Sequence, residues 1–201
     1  MTILRRLSKL CKLIGSRRYR RALTLGTAAA VEHEWLVKSL PINSLIDVGA
    51  NKGQFSLLVR EHHPRSRVYA IEPLSEAADL YAALFEGTED ITLFRCAAGS
   101  RSNSLTINIS ARADSSSILP ITEAQENAFP GTALVGSRIV SVEPLDHLID
   151  AAEVNTPLLI KLDVQGYELE ALKGMPQLLA RASYIYLEVS FETLYAHQPL
   201  A

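Results

Sequence analysis

The chain has 201 residues, 48% hydrophobic and 21% charged, a balance that supports one packed core and excludes disordered, fibrous and disulfide-stapled classes. Its formal charge of −2 hides an asymmetry: residues 1–21 hold eight of the 20 basic residues and no acid, so the remainder carries 12 basic against 22 acidic residues. No apolar run reaches the roughly 18 residues of a membrane span, and two cysteines, Cys11 and Cys96, are too few for a metal framework and fit a reducing cytoplasm, with Cys96 in the core.

In the basic arm, Leu4, Leu7, Leu10 or Cys11, and Ile14 recur at helical steps, with arginines and lysines on the other faces. Two placements stay open: a surface helix docked on the acidic body, and a peripheral helix on an anionic membrane through residues 1–21. No nucleic-acid-reading motif accompanies the charge, so nucleic acid is not an expected partner. Charge interrupts the apolar steps too often for a secretory signal.

Residues 24–40 are Ala-rich and read as a helix with Val31, Trp35, Leu36 and Leu40 as its stripe, stopped by Pro41. Residues 44–48 form an apolar run ending in Gly49, which reads as a buried strand. A helix over 54–63 closes at Pro64, a strand over 67–71 ends at Glu72-Pro73, and Ser75 is expected to cap a helix to about residue 85. Residues 91–96 read as a third strand. Residues 99–137 are rich in Ser, Asn, Thr and Ala and read as loop, with one strand-like alternation at 105–109. A strand at 138–142, a helix at 145–152, a strand at 158–162, a helix at 167–179 and a strand at 184–189 complete the chain. Alternating helices and apolar strands argue an α/β fold, its mostly parallel sheet covered by helices on both faces.

Ligands of open α/β sheets bind beyond the carboxyl ends of the strands. Those ends carry Asp47, Glu72, Ala97, Asp163 and Glu188, and acids in such positions need a partner or water. The first turn runs from Asp47 to Gly53, where Gly49 permits a tight turn and Gly53 lets the next helix pack close to the strand. The glycine spacing is neither the dinucleotide fingerprint nor a phosphate loop. Glu72 follows Gly53 by 19 residues, where an acid can take both hydroxyls of a ribose. A nucleoside ligand without phosphates fits best, and the five histidines show no metal-ligand spacing.

Residues 46–56, together with the stretch from Ile160 to Glu168 and with Leu172-Lys-Gly174, resemble the FkbM-type family of class I S-adenosylmethionine-dependent methyltransferases. Residues 94–99, Val142 to Asp146 and Leu187 to Ser190 match further blocks. The resemblance covers roughly residues 40–199. It implies a Rossmann-like methyltransferase sheet, S-adenosylmethionine as donor, and a hydroxyl on a sugar, small metabolite or glycan as acceptor. It further implies that Asp47, Gly49, Asn51 and Gly53 hold the methionine part of the cofactor, that Glu72 takes the ribose and Ala97 borders the adenine, and that Asp163 faces the transferable methyl. Against the family pattern, residues 1–40 read as a basic helical region. Residues 41–201 read as the methyltransferase domain, expected to lack its C-terminal strands, with the strand around Leu187 an open edge and self-association the expected result.

The donor is already activated, so no metal is required, and a base helps the acceptor hydroxyl as the bond forms. Asp163 is the first candidate, with His147 and Glu168 behind it. Glu188 either lines the acceptor pocket or solvates its strand end, and Asp146 caps or braces a helix. The competing classes are a non-catalytic binding subunit that keeps the cofactor fold, and a nicotinamide oxidoreductase, which the glycine spacing disfavours.

Overall fold

The computed structural model describes residues 3–201, with side chains described from Lys9 onward; the expected contributions of the Leu4, Arg5, Arg6 and Leu7 side chains lie outside the described residues. Ile3–Gly15 forms α1. Ser16 then accepts a hydrogen bond from the Tyr19 N–H and starts α2, Arg17–Thr24. The two helices lie on the body. Lys9 pairs with Glu32 at 2.9 Å, Lys12 with Glu34, and Arg18 with Glu61 at 3.4 Å. Exposed pairs of this kind contribute little each, so burial of Leu13, Tyr19 and Ala22 does more of the seating.

The single helix expected over 24–40 is not formed. Gly26 at φ +75° turns the chain out of α2. Residues 27–30 are irregular, and the Ala30 N–H donates to the Gln54 carbonyl at 3.1 Å. Only a 3-10 turn, Val31–His33, and α3, Glu34–Ser39, are helical. The alanines that suggested a helix pack instead on the core: Ala29 is fully buried and Ala28 and Ala30 lie against the same cluster, whereas Trp35 is 72% exposed. Tertiary packing overrides propensity here.

Next come β1 (Ser44–Val48), α4 (Gln54–His62), β2 (Arg67–Ile71), α5 (Ser75–Leu84) and β3 (Ile91–Phe94). Ser75 is the first residue of α5 rather than its cap, and its hydroxyl accepts from Arg138 at 2.9 Å. The region expected to be mostly loop, 99–137, holds β5 (Asn103–Ser110), α6 (Glu123–Ala128) and the start of β6 (Leu134–Glu143); with β4 (Ala97–Ala98) just before it, β4, β6 and β5 form a small separate sheet in that order. Much of β6 faces solvent, including Ile139, so no continuous apolar run marks it. The chain ends with α7 (Leu145–Leu148), β7 (Leu158–Leu162), α8 (Glu168–Lys173), α9 (Pro176–Arg181) and β8 (Tyr184–Leu187). The helix expected over 167–179 breaks because Pro176 restarts it. The helix expected over 145–152 ends at Leu148 and gives way to a 3-10 turn at Ala151–Glu153.

The main sheet is parallel throughout, in the order β3-β2-β1-β7-β8. β1 and β7 are buried along their whole length, which is why both read as unbroken apolar runs. Leu45 and Leu159 face the side covered by α2 to α5; Ile46, Val48, Ile160 and Leu162 face the side covered by α7 to α9. Asp146 caps α9 from outside, accepting from the Gln177 and Leu178 N–H groups at 2.8 and 3.1 Å.

At Gly174 two backbones touch: a Cβ there would stand 2.0 Å from the Gly99 carbonyl oxygen. Gly174→Ala is therefore expected to cost about 1–3 kcal/mol, the range for overpacking a site that cannot yield. Gly136→Ala, where a Cβ meets nothing within 4 Å, should be neutral or slightly stabilising. Urea unfolding midpoints of the two variants check the contrast.

Candidate functional site

The sequence runs outward from β1 through β2 to β3, then returns on the other side of β1 as β7 and β8. At that reversal the loops leaving β1 and β7 separate and open a crevice. A cavity of about 840 Å³ lies there. The two loops meet at its floor: a Cβ on Gly49, at φ +74°, would stand 2.0 Å from the Asp163 carbonyl oxygen. Gly49 is thus required by the approach of the β7 loop.

Gly49, Asn51, Glu72, Ala97 and Asp163 all border the cavity. Asn51 is held at φ +47°, and its N–H donates to Glu72 Oε2 at 2.8 Å. Glu72 Oε1 accepts from the Leu74 N–H at 2.8 Å. Burial pushes the Glu72 carboxyl up to about 7, against the lowering effect of those two donors and of Lys161. Asp163 is 43% exposed at its side chain, and its Oδ1 accepts from Gln165 Nε2 at 2.7 Å.

Asp47 and Gly53 do not border the cavity. Asp47 is completely buried: it accepts from the Ser56 hydroxyl at 2.7 Å and lies 3.3 Å from Lys161 Nζ. The expectation that it touches a ligand is corrected to that of a brace under the loop. Gly53, at φ +88°, lies against the Tyr81 and Phe85 rings. His147 is exposed on α7 and does not border this cavity. Glu168 holds its own turn, accepting from the Val164 and Gly166 N–H groups at 3.1 and 3.2 Å.

Three parts of the site were missed in the sequence. Lys161 lies in an apolar strand yet borders the cavity; its Nζ donates to the Gly49 carbonyl at 2.9 Å and is 3.7 Å from Asp163. The sequence gives no sign of it: only the strand pairing, which sets Lys161 in register with Asp47, shows the ammonium paired inside. The irregular segment 27–30, misread as helix, forms one wall. Beside it His33 Nδ1 and the Tyr186 hydroxyl stand 2.9 Å apart. Burial holds His33 below the usual imidazole range.

Residues 47–201 match the family model described as the methyltransferase FkbM domain. The chain is similar to the hexuronic acid methyltransferase AglP of Haloferax volcanii, 37% identical over 54 residues, covering 27% of this chain and 23% of that protein. It is also similar to the methyltransferase sdnD of Sordaria araneosa, 28% identical over 171 residues, covering 73% of this chain and 66% of that protein. The chain therefore spans less than two thirds of the length of either relative. Among solved structures, the plantazolicin methyltransferase BpumL in complex with SAH is similar at a TM-score of 0.42 and 14% identity, covering 88% of this chain and 48% of that chain.

Folding raises the Glu72 pKa from 4.5 to about 7. The folded state therefore binds the extra proton, and the resulting stability is full below pH 4.5 and lost as pH rises through 7. Between pH 5 and pH 8 the loss should be about 2–3 kcal/mol. Glu72→Gln should flatten this slope in urea unfolding at the two pH values, and an unchanged slope would place the titrating group elsewhere.

Proposed function

The chain belongs to the FkbM methyltransferase family, and we propose that it transfers a methyl group from S-adenosylmethionine to a hydroxyl oxygen of a sugar or secondary metabolite. The observation that carries this reading is the convergence of Gly49, Glu72, Lys161 and Asp163 on one cavity at the strand-order reversal. The residues fit the cofactor. The cavity lies within the roughly 300–1,000 Å³ of small-molecule sites. Each Glu72 oxygen accepts one backbone N–H, which leaves capacity to accept from the two ribose hydroxyls. The turn at Gly49 to Asn51 would hold the methionine part, and the short side chains of Ala97 and Ala98 leave room for the adenine.

When bound, the cofactor supplies a methyl carbon already activated by a sulfonium. The remaining work falls to the chain. Asp163, as base, takes the proton from the acceptor oxygen as that oxygen forms its new bond to carbon. Gln165 fixes the Asp163 carboxylate from one side, and Lys161 lies on the other, so the carboxylate is oriented before the acceptor arrives. Tyr186 and His33 line the cavity and hold each other at 2.9 Å.

Calorimetry should show binding of S-adenosylhomocysteine. Incubation with S-adenosylmethionine and hydroxylated acceptors should give a methyl ether, identified by mass spectrometry. Asp163→Asn should lower kcat by about 10²- to 10⁴-fold while S-adenosylhomocysteine affinity changes far less. Wild-type turnover in Asp163→Asn would remove Asp163 as base, and no binding of S-adenosylhomocysteine would remove the whole reading.

A further inference from the structure

The apolar stripe of α1 does not face the body. Leu10, Cys11 and Ile14 share one sector of the helix and all are exposed, Leu10 by 49% and Ile14 by 52%. Among the described side chains of α1 only Leu13 is buried. The body receives the basic side instead, with Lys9 on Glu32 and Lys12 on Glu34. A lone exposed leucine needs no explanation. A helix that turns its stripe to water and its lysines to the protein leaves an apolar face for something else to cover.

The next helix continues this outer surface in charge. Tyr19 and Ala22 are the buried side of α2, and helical spacing puts Arg17, Arg20 and Arg21 on the other side. All three arginines are exposed, and none pairs with an acid among the described residues, whereas Arg18 reaches Glu61. Arg20 Nη1 donates to the Ile14 carbonyl at 2.6 Å, which sets a guanidinium beside the last residue of the stripe. The apolar and cationic surfaces therefore adjoin.

We propose that this surface docks on an anionic lipid bilayer, with Leu10, Cys11 and Ile14 at the acyl boundary and Arg17, Arg20 and Arg21 among the lipid phosphates. A nucleic-acid backbone would answer the arginines and leave the stripe in water. A second copy of this chain would cover the stripe but bring its own arginines against these. A bilayer surface answers both, as it does for interfacial helices that combine apolar burial with basic charge. The long-range field agrees. Residues 22–201 carry 12 basic against 22 acidic residues, so an anionic surface repels the body, attracts the arm and orients the approach. α1 also borders the cavity through Lys9, so docking holds the cavity close to the lipid. None of the methyl-transfer chemistry is needed for this docking.

The test is cosedimentation of the full chain with extruded vesicles of phosphatidylcholine, alone or mixed with phosphatidylglycerol. The mixed vesicles should bind the chain, the neutral ones about tenfold or more weakly, and added salt should release it. Arg17→Gln, Arg20→Gln and Arg21→Gln combined should weaken binding on the order of 100-fold, about fivefold per arginine. Leu10→Gln with Ile14→Gln, at unchanged charge, should weaken it about tenfold. These side chains are exposed, so both variants should keep the thermal midpoint of the parent. Equal binding to both kinds of vesicle, binding to neither, or full binding in the Leu10, Ile14 variant would overturn the proposal. Binding to a DNA duplex with none to mixed vesicles would assign the arginines to nucleic acid and overturn it as well.

Discussion

Lys161 carries its ammonium into the sheet, where only a tenth of its side chain meets water, with Asp47 directly across in register on the neighbouring strand. Burial opposes the charge on Lys161, yet the carboxylates of Asp47 and Asp163 raise its pKa overall. The contact with Asp47, at 3.3 Å, is ionic and is not aligned as a hydrogen bond; the aligned bond goes to the Gly49 carbonyl. One side chain therefore ties β7 to the loop that leaves β1. Asp47 extends the tie, since it accepts from Ser56 on α4, which accepts in turn from the Tyr81 hydroxyl on α5 at 3.0 Å. Leaving either charge buried alone costs about 3–5 kcal/mol, so the floor of the cavity is built around a pair that cannot be halved.

That pair marks where the sequence misleads about the site, while the strands around it are plain. β1, β2 and β7 were legible to the residue because parallel strands buried on both faces are continuous apolar runs. Of the acids at their ends, Glu72 and Asp163 border the cavity and Asp47 does not. Lys161 was not legible, because a lysine between apolar residues gives no sign that its ammonium is paired inside. Asp47 was assigned to the ligand for the opposite reason: its place at a strand end looks chemical, and only the register with Lys161 makes it structural. The segment 24–40 and the region 99–137 failed on local grounds. Alanine favours helix until tertiary packing overrides it, and a half-exposed strand such as β6 lacks the pattern of a buried one.

The blocks that carry the family resemblance divide into two kinds. Gly99 and Gly174 belong to packing: their backbones touch, the Gly99 N–H donates to the Glu143 carbonyl at 3.1 Å, and the Asp146 N–H donates to the Gly174 carbonyl at 3.2 Å. This seam joins the small sheet to α7, α8 and α9. Gly49 belongs to packing and site alike, because the contact that forbids its side chain is also the contact that brings Asp163 to the cavity. A motif glycine can therefore mark the approach of two protein backbones as readily as that of a ligand.

Gln165 shows how the Asp163 carboxylate is held in place. It sits at φ +56°, a conformation that side-chain-bearing residues seldom adopt, and its partners account for its staying there. Its amide nitrogen donates to Asp163, its amide oxygen accepts from Tyr195, and its carbonyl accepts from the Ser117 hydroxyl at 2.7 Å. Each end of the amide is committed, so the side chain cannot rotate without breaking a bond. The donor to Asp163 is therefore fixed by residues remote in sequence, from the loop after β5 and from the segment after β8. Local strain is stored at Gln165 and offset by bonds on three sides, and the result is a carboxylate whose direction is set before any ligand is present.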